Sequence, residues 1–141
     1  MTTTSVLFLC TGNRARSQMA EAVLRNLAAD RFEAFSAGLE PTTIHPLTYR
    51  VMAEIGLDLH GHRSKSLKEY LGRHHFHHVI TVCDHAEQNC PTTFPGHPTR
   101  HHWNLPDPTT APGTETQRLT VFRDVRDAVR SQVSRFIEAS T

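Results

Sequence analysis

The stretch "VLFLCTGNRARSQMAEAVL", residues 6–24, constrains this chain more than any other. Residues 6–9 are apolar, read as a buried strand, and end at Cys10. A short polar loop follows. Met19, Ala20, Val23, Leu24 and Leu27 then recur at helical spacing, with Ser17 placed to cap the helix they form. A strand apolar on both faces needs neighbours beside it and cover above and below. The rest of the chain supplies them in alternation.

Residues 32–37 read as a second strand closed by Gly38. Pro46 opens a second helix that turns Leu47, Val51, Met52 and Ile55 inward and stops at Gly56. Residues 66–71 suggest a short helix. Residues 79–82 form another strand, which ends at Cys83, and a shorter strand lies near residues 100–103. "NLPDPTTAPGTETQ" is a turn-rich loop. From about Thr116, Leu119, Phe122, Val125, Val129, Val133 and Phe136 mark a long amphipathic helix. This alternation predicts an α/β fold of three layers, with a small central parallel sheet of about four strands flanked by helices. No linker or repeat divides residues 1–141, which are expected to form one domain.

A net charge of +1 offers no broad electropositive surface, so neither nucleic acid nor membrane is an expected partner. No apolar run approaches a membrane span, and the first residues do not read as a signal peptide. A cytoplasmic, monomeric protein is expected. Three cysteines in a reducing compartment argue against a static disulfide framework. Eleven histidines include "HHFHH" at residues 74–78 and "HHW" at residues 101–103, but no HExxH or paired CxxC accompanies them. The expectation is exposed histidines, no metal and no cofactor.

Sites in open parallel sheets form at the carboxyl ends of the strands. Cys10 and Cys83 each end a predicted strand, a coincidence that a purely structural role for both thiols does not explain. Cys10 and Arg16 make a C-x5-R pattern, followed by Ser17 and a helix. A loop wrapped ahead of a helix N-terminus turns its amides inward and makes a nest for a tetrahedral oxyanion. Here that loop is Thr11, Gly12, Asn13, Arg14, Ala15, Arg16 and Ser17. Gly12 permits a positive φ or a close approach. The Arg16 guanidinium can fork onto two oxygens, and the same field is expected to lower the Cys10 pKa. Ser17 can donate a hydrogen bond to the resulting thiolate. The Arg14 side chain reads as an exposed loop residue.

"CTGNRARSQMAEA", "SAGLEP", His45–Pro46, "GHRSKS", "VCDHAEQNCP" and "HWNLPDP" resemble, in order and spacing, the arsenate reductases built on the low-molecular-weight tyrosine phosphatase fold. The trio Cys10, Cys83 and Cys90 is similar to the thioredoxin-coupled branch. The resemblance implies that Cys10 attacks arsenate and Asp107, in the "PDP" loop, protonates the departing hydroxyl. Cys83 then attacks Cys10 and releases arsenite, Cys90 attacks Cys83, and thioredoxin reduces the final disulfide. It implies arsenate as substrate, with phosphate or sulfate as competing oxyanions. If "CDHAEQNC" is helical, its ends stand about 10 Å apart. A disulfide needs Cα atoms within about 7 Å, so the segment would have to unwind.

A phosphatase of this fold shares the loop and the acid. It resembles "DPYY" after the acid, whereas this chain has "DPTT", and neither Tyr49 nor Tyr70 is near the loop in sequence. Only the reductase reading uses Cys83 and Cys90. The phosphatase, an oxyanion-binding or redox-sensing module, and glutaredoxin as donor stay open as alternatives. Some relatives carry a fourth cysteine where this chain has Ala15. Some bind potassium through residues matching Asn13, Glu21, Ser36 and an acidic residue at position 65. Here position 65 is Lys65, so the resemblance implies support of the loop without a metal.

Overall fold

A computed structural model describes residues 3–90 and 97–140. Four strands, β1 (Thr4–Cys10), β2 (Phe32–Gly38), β3 (His78–Thr81) and β4 (Thr99–His102), form one sheet in the order β2-β1-β3-β4, and every pairing is parallel. Four helices connect and cover them: α1 (Arg16–Ala28), α2 (Pro46–Ala53), α3 (Asp84–Asn89) and α4 (Glu115–Ala139). β1 is central, and the buried run from Ser5 to Cys10 shows that both its faces are covered. α4 buries Leu119, Phe122, Val125, Val129, Val133 and Phe136 and packs against α1 and α2.

Local chemistry explains the helix ends. α4 opens with a capping box: Gln117 donates its amide to Thr114 Oγ1, and the Gln117 side chain accepts from the Thr114 amide. Pro46 occupies the first turn of α2, where His45 Nδ1 accepts from the Leu47 amide. Gly56, at φ +80°, turns the chain after α2.

The segment expected as a short helix at 66–71 is a single 3₁₀ turn, Leu67–Glu69, capped by Ser66. The strand expected at 79–82 is shifted by one residue to His78–Thr81. Leu27, expected on the inner face of α1, is 52% exposed; the last turn of the helix meets the core through Ala28 instead. Ser17 does not cap α1. The helix begins at Arg16, the N-cap position is Ala15, and no side chain caps it.

Candidate active site

β1 and β3 are neighbours, so Cys10 and Cys83 emerge at the same edge of the sheet. Both line a cleft of about 710 Å³ with Arg14, Arg16, Glu40 and Asp107. All three cysteines are free and buried. Cys90 ends α3, whose N-cap is Cys83, and does not line the cleft.

The loop between β1 and α1 is held by an ordered chain of donors. Asn13 Oδ1 accepts from the Lys65 amide and from Gln18 Nε2, each at 2.9 Å. Those two bonds fix the Asn13 amide, so its Nδ2 donates to Ser17 Oγ at 2.8 Å. Ser17 is thereby left with its own proton for Cys10 Sγ, 2.9 Å away. The Asn13 amide also donates to that sulfur, at 3.1 Å. Freedom from capping is what makes the Ser17 hydroxyl available for this contact. The left-handed residue of the loop is Asn13, at φ 53°, rather than Gly12. Asparagine tolerates this region better than most residues, and here its side-chain bonds hold it there.

The expected lowering of the Cys10 pKa is not met in this geometry. Burial pushes the thiol above its ordinary value; the Ser17 and Asn13 hydrogen bonds and the Arg16 charge oppose this without outweighing it. Arg16 is turned partly aside. It donates to the Leu105 carbonyl at 3.0 Å and lies 3.6 Å from Asp107 Oδ2. The other oxygen of Asp107 accepts from the amide and hydroxyl of Thr109, at 3.0 and 2.7 Å. Cys83 Sγ accepts from the Ala86 amide and sits 3.4 Å from Thr11 Oγ1. Burial also raises the Cys90 thiol.

Behind the loop lies a buried carboxylate. Glu21 Oε1 accepts from Ser36 Oγ at 2.7 Å, and its Oε2 faces Arg25 at 3.2 Å and His62 at 3.3 Å. Lys65 Nζ is 3.8 Å from Oε1, 3.5 Å from Ser36 Oγ and 2.9 Å from the Arg63 carbonyl. Its side chain is only 12% exposed. Burial pulls the ammonium below the ordinary lysine value, and Glu21 opposes that. Glu21, Ser36 and the Lys65 ammonium thus converge, and Asn13 joins Lys65 through the latter's backbone amide. Among the described residues, no group of three or more His, Cys, Asp or Glu side chains is arranged to hold a metal ion.

Sequence reasoning missed Gln18, His62 and the role of Gly38. Gln18 is fully buried, and its side chain joins Asn13 to the Arg63 carbonyl. No local signal marks it, because Arg16, Ser17 and Gln18 open the helix as one polar run. A Cβ on Gly38 would lie 2.5 Å from the Thr11 carbonyl oxygen and 3.0 Å from the Asn13 nitrogen. Gly38 therefore lets β2 pass directly beneath the loop.

The profile of the family described as low molecular weight phosphotyrosine protein phosphatase matches residues 5–140. The chain belongs to this family. Within the family its relatives include an arsenate reductase from Shouchella clausii, 38% identical over 134 residues and 94% of each chain. A solved arsenate reductase in an oxidized state superposes with a TM-score of 0.82 at 30% identity, covering 97% of this chain and 98% of that one. A thioredoxin-dependent arsenate reductase from Corynebacterium glutamicum superposes with a TM-score of 0.69 at 25% identity, covering 99% of this chain and 64% of that one. The family description names a phosphatase, and these relatives are named arsenate reductases.

Proposed function

We propose that this chain reduces arsenate to arsenite through a relay of its three cysteines. The observation that carries the reading is the placement of Cys10 and Cys83 on one cleft, with Cys90 at the far end of the helix that Cys83 begins. The loop amides and Arg16 bind the tetrahedral oxyanion. Cys10 loses its proton and attacks arsenic, aided by Ser17. Asp107 gives a proton to the departing hydroxyl, which leaves as water, and a Cys10–arsenate adduct forms. Cys83 then attacks Cys10 Sγ. A Cys10–Cys83 disulfide forms, the sulfur–arsenic bond breaks, and its electron pair stays on arsenic as arsenite. Cys90 attacks Cys83, makes the Cys83–Cys90 disulfide and frees Cys10. Two thiols have become one disulfide, which balances the two electrons taken up by arsenic.

Thioredoxin is the proposed donor, in keeping with the thioredoxin-dependent structural relative. Every residue of the relay comes from one chain, which suits a monomer, and the cycle suits the reducing cytoplasm. Glu21, Ser36, Asn13 and Lys65 support the loop, without a metal. A phosphatase reading draws on the family profile and the shared loop, and it leaves Cys83 and Cys90 without a task.

An assay with arsenate, thioredoxin, thioredoxin reductase and NADPH tests the proposal. Arsenate-dependent NADPH consumption is expected, and glutaredoxin with glutathione in place of thioredoxin tests the donor. Cys90→Ser should stop after one turnover with Cys10 and Cys83 joined, visible by peptide mass spectrometry. Arsenite release with all remaining thiols free would overturn the relay.

A further inference from the structure

The histidine tract at residues 101–103 has no part in the relay as described, yet one of its members touches the relay helix. His102 ends β4 and pairs in register with Thr81, the last residue of β3. The chain then runs through Val82 to Cys83 and α3. His102 Nε2 lies 3.1 Å from Asp84 Oδ1, and its Nδ1 lies 2.9 Å from Thr81 Oγ1 and 3.6 Å from Glu87 Oε2. The Thr81 hydroxyl hydrogen-bonds to the same Glu87 oxygen. One imidazole therefore stands between both carboxylates of α3 and the ends of two strands.

That contact matters because α3 offers few core side chains of its own between the buried Cys83 and Cys90. It is six residues long, and Ala86 is its one buried residue. A helix this short is not stable by itself. Its position depends on the anchoring of its side chains to the sheet.

We infer that His102 is a positioning residue of the thiol relay: it fastens α3 to the sheet in the reduced protein and releases it when Cys90 reaches for Cys83. The inference rests on the relay proposed above. Joining Cys83 to Cys90 brings together two residues that cap opposite ends of α3, so the helix must unwind. Unwinding carries Asp84 and Glu87 away from a ring that stays on β4. While α3 is fastened, Cys83 keeps the Ala86 amide and Thr11 hydroxyl as partners and faces the cleft. His102 thus favours the geometry for attack on Cys10 and opposes that for attack by Cys90.

His102→Phe keeps a flat ring and removes its contacts to Asp84, Thr81 and Glu87. Asp84→Asn weakens the same contact from an exposed position, should His102→Phe fail to fold. Hydrogen exchange of the α3 amides, without arsenate, should quicken about fivefold in either variant, the weight of one partly exposed side-chain hydrogen bond. The double variant should add little to either single one. After one addition of arsenate without thioredoxin, the Cys83–Cys90 disulfide should form about fivefold faster. Formation of the Cys10–Cys83 disulfide, followed in a Cys90→Ser background, should change less than twofold. Exchange within twofold of native in both variants, or equal acceleration of both disulfide steps, would overturn the inference. Should the native protein form no Cys83–Cys90 disulfide, the relay fails, and with it the role of His102 in the relay. The exchange measurement would then still report whether His102 fastens α3.

Discussion

Thr11 Oγ1 and Cys83 Sγ lie 3.4 Å apart, so the first residue of the oxyanion loop touches the thiol at the start of α3. Cys10 immediately precedes Thr11, and the two sulfur-bearing segments meet at one edge of the sheet. If Cys10 is the nucleophile for any oxyanion, Cys10→Ser should abolish both arsenate reduction and hydrolysis of an aryl phosphate. Cys83→Ser should lower thioredoxin-coupled reduction by at least about a thousandfold, the scale of losing an essential catalytic group. Any aryl phosphate hydrolysis should persist, because Cys83 has no part in attack on phosphorus. Native-rate reduction by Cys83→Ser would exclude the relay.

The state of Cys10 can be read separately. Burial holds its thiol above the ordinary range, and the Ser17 hydrogen bond is the strongest opposing influence. In a background with Cys83 and Cys90 replaced by serine, alkylation of Cys10 should rise with pH well into the alkaline range. Ser17→Ala removes a contact that favours the thiolate, so its midpoint should move higher still. An unchanged or lowered midpoint would show that Ser17 does not tune the sulfur.

Gly38 gives a test of the loop that leaves its charged groups intact. An added methyl would meet the backbone of Thr11, Gly12 and Asn13, none of which can step aside as a side chain end can. Gly38→Ala should therefore cost about 1–3 kcal/mol in urea denaturation, the usual range for overpacking. It should also reduce the rise in melting temperature produced by phosphate, since the amides that form the nest are displaced. Full phosphate protection in Gly38→Ala would mean that the loop tolerates the shift.

The parts of this structure that were legible in the sequence repeat locally. The apolar run before Cys10 and the spacing of Phe122, Val125, Val129 and Val133 follow from the periods of strand and helix. The segment between Cys83 and Cys90, allowed as a helix by the sequence, is α3. What was not legible depends on contacts between distant segments. Gly12 was the natural choice for a positive φ, but Asn13 adopts it because Gln18 and the Lys65 amide, 52 residues away, hold its side chain. Ser17 reads in the sequence both as a cap and as a donor to Cys10, and the fold keeps the second role without the first. His62 reaches Gln18 and Glu21 from more than forty residues away. The loop was expected to favour the thiolate from its amides and arginine, but the completeness of Cys10 burial is a tertiary quantity.

The last prediction concerns Lys65. Its ammonium lies against Glu21 and Ser36, with the Arg63 carbonyl as a third oxygen partner. A potassium ion entering the same oxygens would stand a few ångströms from a positive charge. At 4 Å and an effective dielectric of 20 that repulsion is about 4 kcal/mol, enough to oppose useful binding. Activity and melting temperature should therefore be unchanged when potassium replaces sodium. Ionic strength must be held constant, because salt also screens the approach of an anion to the loop. Lys65→Ala removes one of the buried partners of Glu21 but leaves Arg25 and His62, so a loss of about 1–2 kcal/mol is expected in urea denaturation. Lys65→Asp supplies a carboxylate where the cation stood, and its melting temperature should rise with potassium more than with sodium. A potassium-specific rise in the native protein would show that the ammonium does not fill the site. An unaffected Lys65→Ala would show that its place beside Glu21 contributes nothing to the fold.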